Sequence, residues 1–363
     1  MERVLVCGFT ENRGGMESYL MNVYRNIDRE KLQFDFINLN PGEMAFTEEI
    51  NLLGGHVYKI PRRRDDIAAH KKALDDLLSA HNYKGMYYQC TRRLTTMEFF
   101  KLAKKYGIEK RVIHSHSSDE KGIGTVSSIR KKCAALTMNR YINGRLACSK
   151  AAGKWMFGSK EYLVINNGID HQKYRFNSEK RQTIRSEYGI SNDTFVLGTV
   201  GRLAYEKNPL FMIELFNEYK KKHKKTVFLH VGTGVYLEQM KQRIKELSLE
   251  DSYLLLGERK DVYDLLNAFD VFLLPSLYEG FPLVLVESQA NGLQCVISDN
   301  ITRDIDLTGL VQYGSIQNIS EWIGLLENAR SHFVEREKYS EVVREKGFGI
   351  EDSARKIQEY FLS

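Results

Sequence analysis

The chain has 363 residues, of which 42% are hydrophobic and 28% charged: enough apolar material for two ordinary globular domains and too much for a disordered polymer. Its longest apolar runs, such as residues 271–275, fall far short of the roughly 20 residues that cross a bilayer, and its start has neither the basic region nor the cleavage site of a secretory signal, so a cytoplasmic protein is expected. The formal net charge of +6 is uneven, with 28 Lys and Arg against 19 Asp and Glu in residues 1–170 and 25 against 28 in the remainder, and five scattered cysteines with no Cys-x-x-Cys pair argue against a disulfide framework or a structural zinc site.

Short β-branched runs alternate with longer helical patterns along nearly the whole chain. In the first half the pattern predicts strands at 3–8, 34–39, 56–60, 86–90, 111–115 and 145–149, with helices at 16–26, 66–79 and 95–106 between them. The stretch 122–145 sets Ile123, Val126, Ile129, Cys133, Leu136 and Ile142 at near-helical spacing among Arg130, Lys131, Lys132 and Arg140. It reads equally as a core helix with a solvated basic back or as a segment resting on an anionic membrane surface. No zinc finger, aromatic RNA-binding signature or helix-turn-helix pair is present, so no nucleic-acid partner is expected.

An apolar strand at 162–165 runs into the turn cluster Asn166-Asn167-Gly168-Ile169-Asp170, where the halves of the chain meet. Beyond it strands are predicted at 195–200, 227–231, 253–256, 271–274 and 295–298, with helices near 209–221, 236–247, 262–268, 283–290 and 319–329. Strands separated by helices imply parallel sheets with crossover helices on both faces. The chain is therefore read as an α/β protein of two doubly wound domains, residues 1–170 and 171–345, with a C-terminal helix in 346–363 packing back toward the first. Ligands in such sheets bind beyond the carboxyl ends of the strands, so the site is expected there, in a cleft between facing domains.

Three glycine-rich places follow strands. The loop from Gly8 to Gly15 leads into a helix opening at Met16, and Gly14 and Gly15 let backbone N–H groups approach an anion at the positive helix end. Gly232-Thr233-Gly234 resembles a dinucleotide fingerprint, but Leu237 stands where its last glycine belongs, which disfavours nicotinamide. Each loop is equally compatible with a tight turn that holds no ligand. The strand at 195–200 ends in Gly201-Arg202-Leu203-Ala204-Tyr205-Glu206-Lys207-Asn208-Pro209. Two fixed cations beside helix-terminal N–H groups suit a diphosphate, although solvated surface charges would look the same.

After the strand at 271–274 comes Pro275-Ser276-Leu277-Tyr278-Glu279-Gly280-Phe281-Pro282-Leu283, with Glu287 one turn into the next helix. Glu279 from the loop and Glu287 from the helix can both face the strand-end crevice and accept sugar hydroxyls, while the N–H groups of Gly280 and Phe281 meet hydroxyl or phosphate oxygens. A helix cap and a solvated glutamate would use the same residues.

Taken in order, Gly14-Gly15-Met16-Glu17, Asn167-Gly168-Ile169-Asp170, Val200-Gly201-Arg202 with Glu206-Lys207-Asn208-Pro209, and Glu279-Gly280-Phe281-Pro282 with Glu287 resemble the family-four retaining glycosyltransferases of two-Rossmann GT-B architecture, above all the bacterial transferases of capsule and exopolysaccharide assembly. The resemblance implies transfer of a hexose from a nucleotide diphosphate sugar, a UDP-sugar first of all, to a saccharide or a polyprenyl-diphosphate-linked saccharide. No cofactor is expected, and no metal, because a cationic clamp can replace one. The resemblance assigns Arg202 and Lys207 to the diphosphate, Glu279 to the donor sugar's hydroxyls and Glu287 to the ribose. It sets Gly232 and Gly234, with the segment 258–262 that includes Arg259 and Val262, around the base, and lines the donor with Gly280, Phe281, Pro282 and Leu283. From the other domain Gly14 and Gly15 would approach the phosphates or the acceptor, and His116 would aim at the transferred sugar while His114 turns into the sheet. The turn Asp299-Asn300-Ile301-Thr302 departs from the family's frequent Gly-Gly-x-x-Glu, which leaves the donor's identity open. A retaining glycosidase needs carboxyl groups about 5–5.5 Å apart and has no use for a diphosphate clamp. A nucleotide-sugar epimerase of similar build and a non-catalytic nucleotide-sugar sensor stay as alternatives, and the basic first domain would seat the protein peripherally on the inner face of the plasma membrane.

Overall fold

The structure, a computed structural model, describes residues 1–11, 14–92, 97–117, 133 and 135–363. Two units divide the chain: Met1–Gly168 together with Ile350–Ser363, and Ile169–Gly349.

Among the described residues the first unit holds a seven-stranded parallel sheet of β1 (Glu2–Cys7), β2 (Leu32–Asn38), β3 (Val57–Lys59), β4 (Gly85–Cys90), β5 (Lys110–Ser115), β6 (Gly144–Ala147) and β7 (Leu163–Val164). Their order is β3-β2-β1-β4-β5-β6-β7. The second unit holds β8 (Phe195–Val200), β9 (Thr226–Val231), β10 (Tyr253–Gly257), β11 (Val271–Leu274), β12 (Gln294–Ser298) and β13 (Val311–Gly314), in the order β10-β9-β8-β11-β12-β13. Each sheet is doubly wound: the order reverses beside its first strand, between β1 and β4 and between β8 and β11. The crevice beyond the carboxyl ends at that reversal is where such sheets take ligands.

The apolar runs fold this way because their strands are covered on both faces. In β11, Val271 and Leu273 pack into one cluster with Leu197, Met212 and Phe216, while Phe272 and Leu274 pack into another with Val196, Leu285 and Ile297. Some helix starts are marked by side-chain caps: Asp66 accepts from the Ala69 N–H at 2.9 Å and Ser149 from that of Ala152 at 3.1 Å. The terminal helix Ile350–Leu362 lies in the first unit, where Phe361 meets the ring of Tyr87 edge-on at 5.1 Å.

Several elements go beyond the pattern read from the sequence, among them the helices Lys150–Phe157 and Ser178–Glu187 and the strand β13. The second of these helices is anchored by arginines instead of an aliphatic stripe. Arg181 and Arg185 both donate to Asp270, at 2.5 and 2.7 Å, and Asp270 also accepts from the Val196 N–H at 2.7 Å. The helix expected at 95–106 is described over Glu98–Lys105. Half of the basic stretch 122–145 lies outside the described residues; in its described part Met138 and Ile142 are buried and Leu136 is exposed.

Candidate functional site

The second unit gathers its glycine-rich and charged loops at the carboxyl ends of β8, β9 and β11, and backbone hydrogen bonds tie them together. Gly201 donates to the Val231 carbonyl at 3.0 Å, Leu203 to Thr233 at 2.9 Å, Tyr236 to Leu203 at 3.1 Å and Leu277 to Glu206 at 2.8 Å. Such close approach explains the glycines after β9. Gly232 has φ +139°, and a Cβ there would fall 1.8 Å from the Gly201 carbonyl oxygen; one on Gly234 would fall 2.4 Å from that of Leu203. Backbone packing therefore accounts for both residues before any ligand is considered.

Lys207 ends the 3₁₀ turn Tyr205–Lys207, and Asn208, at φ +53°, swings the chain into the helix Pro209–Lys222, with the proline in its first turn. Its ammonium donates to Glu279 Oε1 at 2.5 Å, and the Ser276 hydroxyl donates to that same oxygen at 2.7 Å. Both ends of the ion pair are largely enclosed, with side chains 17% and 12% exposed. Arg202 behaves differently: its side chain is 80% exposed and donates to Glu206 at 3.0 Å. Of the two cations assigned to the diphosphate, Lys207 meets Glu279 and Arg202 meets Glu206.

Glu287 projects from the helix Leu283–Ala290 and accepts from the Tyr174 hydroxyl at 2.9 Å. Burial pushes its carboxyl up to about 7, against the opposing effects of that hydrogen bond and of Lys173. Gly280 is exposed, with no atom beyond its two chain neighbours within 4 Å of where a Cβ would stand. Phe281 stacks on Phe348 at 5.4 Å, and Pro282 is the capping residue from which Leu283 starts the helix. Arg259 forms a forked pair with Asp261, at 2.9 and 2.7 Å, and Val262 begins the short turn Val262–Leu265 packed against the core. The chain's one Asp-x-Asp spacing, Asp304-Ile305-Asp306, closes a turn: Asp306 accepts from the Gly309 N–H at 2.8 Å, and Ile305 is buried.

In the first unit His116 follows β5, half-buried, its Nε2 2.7 Å from the Gln89 amide oxygen and its ring 4.2 Å from that of His114. Burial lowers its pKa to about 3, so the imidazole is neutral near pH 7. His114 is fully buried against the Tyr87 hydroxyl, 2.5 Å from its Nδ1. Gly14 precedes the helix that Gly15 opens, and the buried Glu17 carboxylate folds back over it. One Glu17 oxygen accepts from the Thr10 hydroxyl at 2.6 Å, and a Cβ on Gly14 would fall 2.7 Å from the other. With a carboxylate already at this helix start, the glycines suit a hydroxyl-bearing ligand better than a phosphate.

Ser276, Tyr174 and Gln89 were not singled out from the sequence. Ser276 had a local signal, standing three residues before Glu279, whereas Tyr174 lies 113 residues from Glu287 and had none.

Comparison with known proteins bears on what these loops do. A profile of the family described as "Glycosyl transferases group 1" matches residues 180–303. Over 331 residues, 88% of this chain and 85% of the relative, the chain is 31% identical to the Bacillus subtilis (strain 168) protein named "Putative glycosyltransferase EpsF". Over 139 residues, 38% of this chain and 36% of the relative, it is 37% identical to the UDP-Gal:alpha-D-GlcNAc-diphosphoundecaprenol alpha-1,3-galactosyltransferase of Escherichia coli. Among solved structures, HepE of Anabaena, crystallised in complex with UDP and glucose, aligns over the whole of both chains with a TM-score of 0.75 at 19% identity, a likeness of fold.

Proposed function

Since the chain belongs to the group 1 glycosyl transferases, of GT-B fold, we propose that it moves a hexose from a nucleotide diphosphate sugar, specifically a UDP-sugar, to a lipid-linked saccharide in bacterial capsule or exopolysaccharide assembly, keeping the anomeric configuration. The observation that carries this reading is the meeting of Lys207, Ser276 and Glu279 where the second sheet reverses its order, with Glu287 on the helix that follows. The names of two similar proteins support the chemistry: one transfers galactose from UDP-Gal to a diphosphoundecaprenol-linked sugar, and the other was crystallised with UDP and glucose.

In this reading Lys207 is a point charge on the diphosphate, Glu279 accepts from the sugar's hydroxyls and Glu287 from the ribose. The leaving diphosphate gains charge as the glycosidic bond opens, so a preorganised ammonium and helix-terminal N–H groups stabilise the transition state more than the bound donor. The acceptor hydroxyl attacks from the face the diphosphate leaves, and the departing phosphate takes its proton, so no carboxylate nucleophile is required. Neutral His116 exchanges one hydrogen bond with the transferred sugar. The basic excess of residues 1–170 seats the protein on the anionic membrane face that carries a lipid-linked acceptor.

The decisive experiment incubates the protein with UDP- and GDP-sugars, with and without polyprenyl-diphosphate saccharides, and follows products by mass spectrometry and NMR. Transfer that requires the acceptor and keeps the donor's anomeric configuration is expected. An epimerised donor formed without acceptor, or binding without turnover, would replace this reading with an epimerase or a sensor. Raising salt from 0.1 to 0.5 M should release the protein from anionic vesicles; binding indifferent to salt would remove the electrostatic seat.

A further inference from the structure

We propose that Ser276 is a positioning residue for the transfer: together with Lys207 it holds one oxygen of Glu279, so that the other is kept for the donor sugar. This rests on the reading of Glu279 as the sugar-binding carboxylate. Ser276 is fully buried in the loop after β11, and its hydroxyl donates to Glu279 Oε1 at 2.7 Å. The Lys207 ammonium donates to the same atom at 2.5 Å. Two donors to one carboxylate oxygen, both bonds strengthened by its charge, fill that oxygen and lock the side chain's rotation. Glu279 Oε2 accepts no hydrogen bond from the described residues.

The surroundings favour this division of labour. Gly280, next in the chain, is exposed and has no atom beyond its chain neighbours within 4 Å of where a Cβ would stand, so no side chain crowds that flank of the loop. The loop cannot drift, because Leu277 donates to the Glu206 carbonyl at 2.8 Å and so fixes Ser276 and Lys207 to one frame. A buried serine with a purely structural task commonly bonds a backbone carbonyl, as Ser288 does to Val284 at 2.8 Å on the following helix. Ser276 instead bonds a side chain of the site. Without it, Glu279 would be tied by Lys207 alone, and the flexible lysine stem could carry the carboxylate away from the sugar.

Two kinds of affinity should therefore separate. The ammonium keeps further N–H donors for the diphosphate, so UDP binding should barely depend on Ser276, whereas the extra affinity contributed by the sugar should. The test measures UDP and a UDP-hexose by calorimetry on wild type, Ser276→Ala and Ser276→Thr, taking the hexose that most raises the wild-type melting temperature among UDP-glucose, UDP-galactose and UDP-N-acetylglucosamine. For Ser276→Ala we expect UDP affinity within about twofold of wild type and a loss of about tenfold in the preference for the UDP-hexose over UDP, as befits a hydrogen bond to a charged group. Ser276→Thr, which keeps the hydroxyl, should restore the preference. An undiminished preference in Ser276→Ala overturns the proposal, as does an equal loss of UDP and UDP-hexose affinity, which marks a merely structural serine. Should the alanine variant not fold, the near-isosteric Ser276→Cys, a weak donor, decides in the same way. A wild-type protein that binds UDP but no UDP-hexose overturns the sugar-site reading itself, and one that binds neither overturns the transferase reading.

Discussion

Lowering the pH from 8 to 6 should weaken donor binding about tenfold through a single group, Glu287. Burial lifts its carboxyl from the ordinary 4.5 to about 7, with the Tyr174 hydrogen bond and Lys173 pulling the other way. Its ionised fraction then falls from about nine-tenths at pH 8 to about one-tenth at pH 6. Ribose hydroxyls donate to the carboxylate, so donor binding selects the ionised form and expels a proton from the rest. The cost approaches about 1.4 kcal/mol for each pH unit below 7. The empty protein responds in the opposite sense. Its folded state holds a proton that the unfolded chain has already lost between pH 4.5 and 7, so this group's contribution to stability grows as the pH falls through that window and is lost as it rises through about 7. Calorimetric titration with a UDP-hexose suits the measurement, because its diphosphate is esterified at both ends and does not titrate between pH 6 and 8. Proton release on binding, read from buffers of different ionisation enthalpy, should rise from about one-tenth of a proton at pH 8 through about half at pH 7 to about nine-tenths at pH 6. Glu287→Gln should bind more weakly at pH 8 and level the profile to within about twofold. A wild-type affinity that is flat from pH 6 to 8, or a slope that survives in Glu287→Gln, would refute the reasoning.

Other perturbations test other links. Lys207→Ala should lower kcat by about 10²–10³, typical of a lost electrostatic stabiliser, with an unchanged circular dichroism spectrum; a drop of less than twofold would remove Lys207 from the transition state. Gly232→Ala forces a Cβ to within 1.8 Å of the Gly201 carbonyl at φ +139°, so urea unfolding should show a loss of about 2 kcal/mol or more, and a wild-type midpoint would contradict the packing described. Asp270→Ala leaves the buried Arg185 without its counter-ion, and the same assay should report a loss of about 3 kcal/mol. His116, with its pKa pushed down to about 3, should contribute no inflection to the activity profile between pH 5 and 8; His116→Asn should lower turnover without changing the profile's shape, and an inflection lost in that variant would count against the neutral imidazole.

Much of the fold was legible because its signals are local. A strand covered on both faces, like β11, must be apolar at every position, and a helix between two such strands needs an apolar stripe; both requirements act within a few residues. Where burial is achieved otherwise the pattern went unseen: the helix Ser178–Glu187 presents Arg181 and Arg185 inward to Asp270, some 90 residues away, and nothing in its own composition announces that partner. The site divides in the same way. Loop chemistry at strand ends pointed to Lys207, Glu279 and Glu287 as residue types fit for a diphosphate and for hydroxyls.

Composition, periodicity and the loops that follow each strand thus determined that this is a doubly wound α/β chain with its glycine-rich and charged loops at strand ends. Only the tertiary structure decided which charges meet. Lys207 and Glu279 are 72 residues apart and become an ion pair because β8 and β11 lie side by side, whereas Arg202, equally suited by type, is left on the surface beside Glu206. The physical reason is range: propensity and patterning act over a few residues, while electrostatic pairing and desolvation depend on distance in space, and sheet order sets that distance.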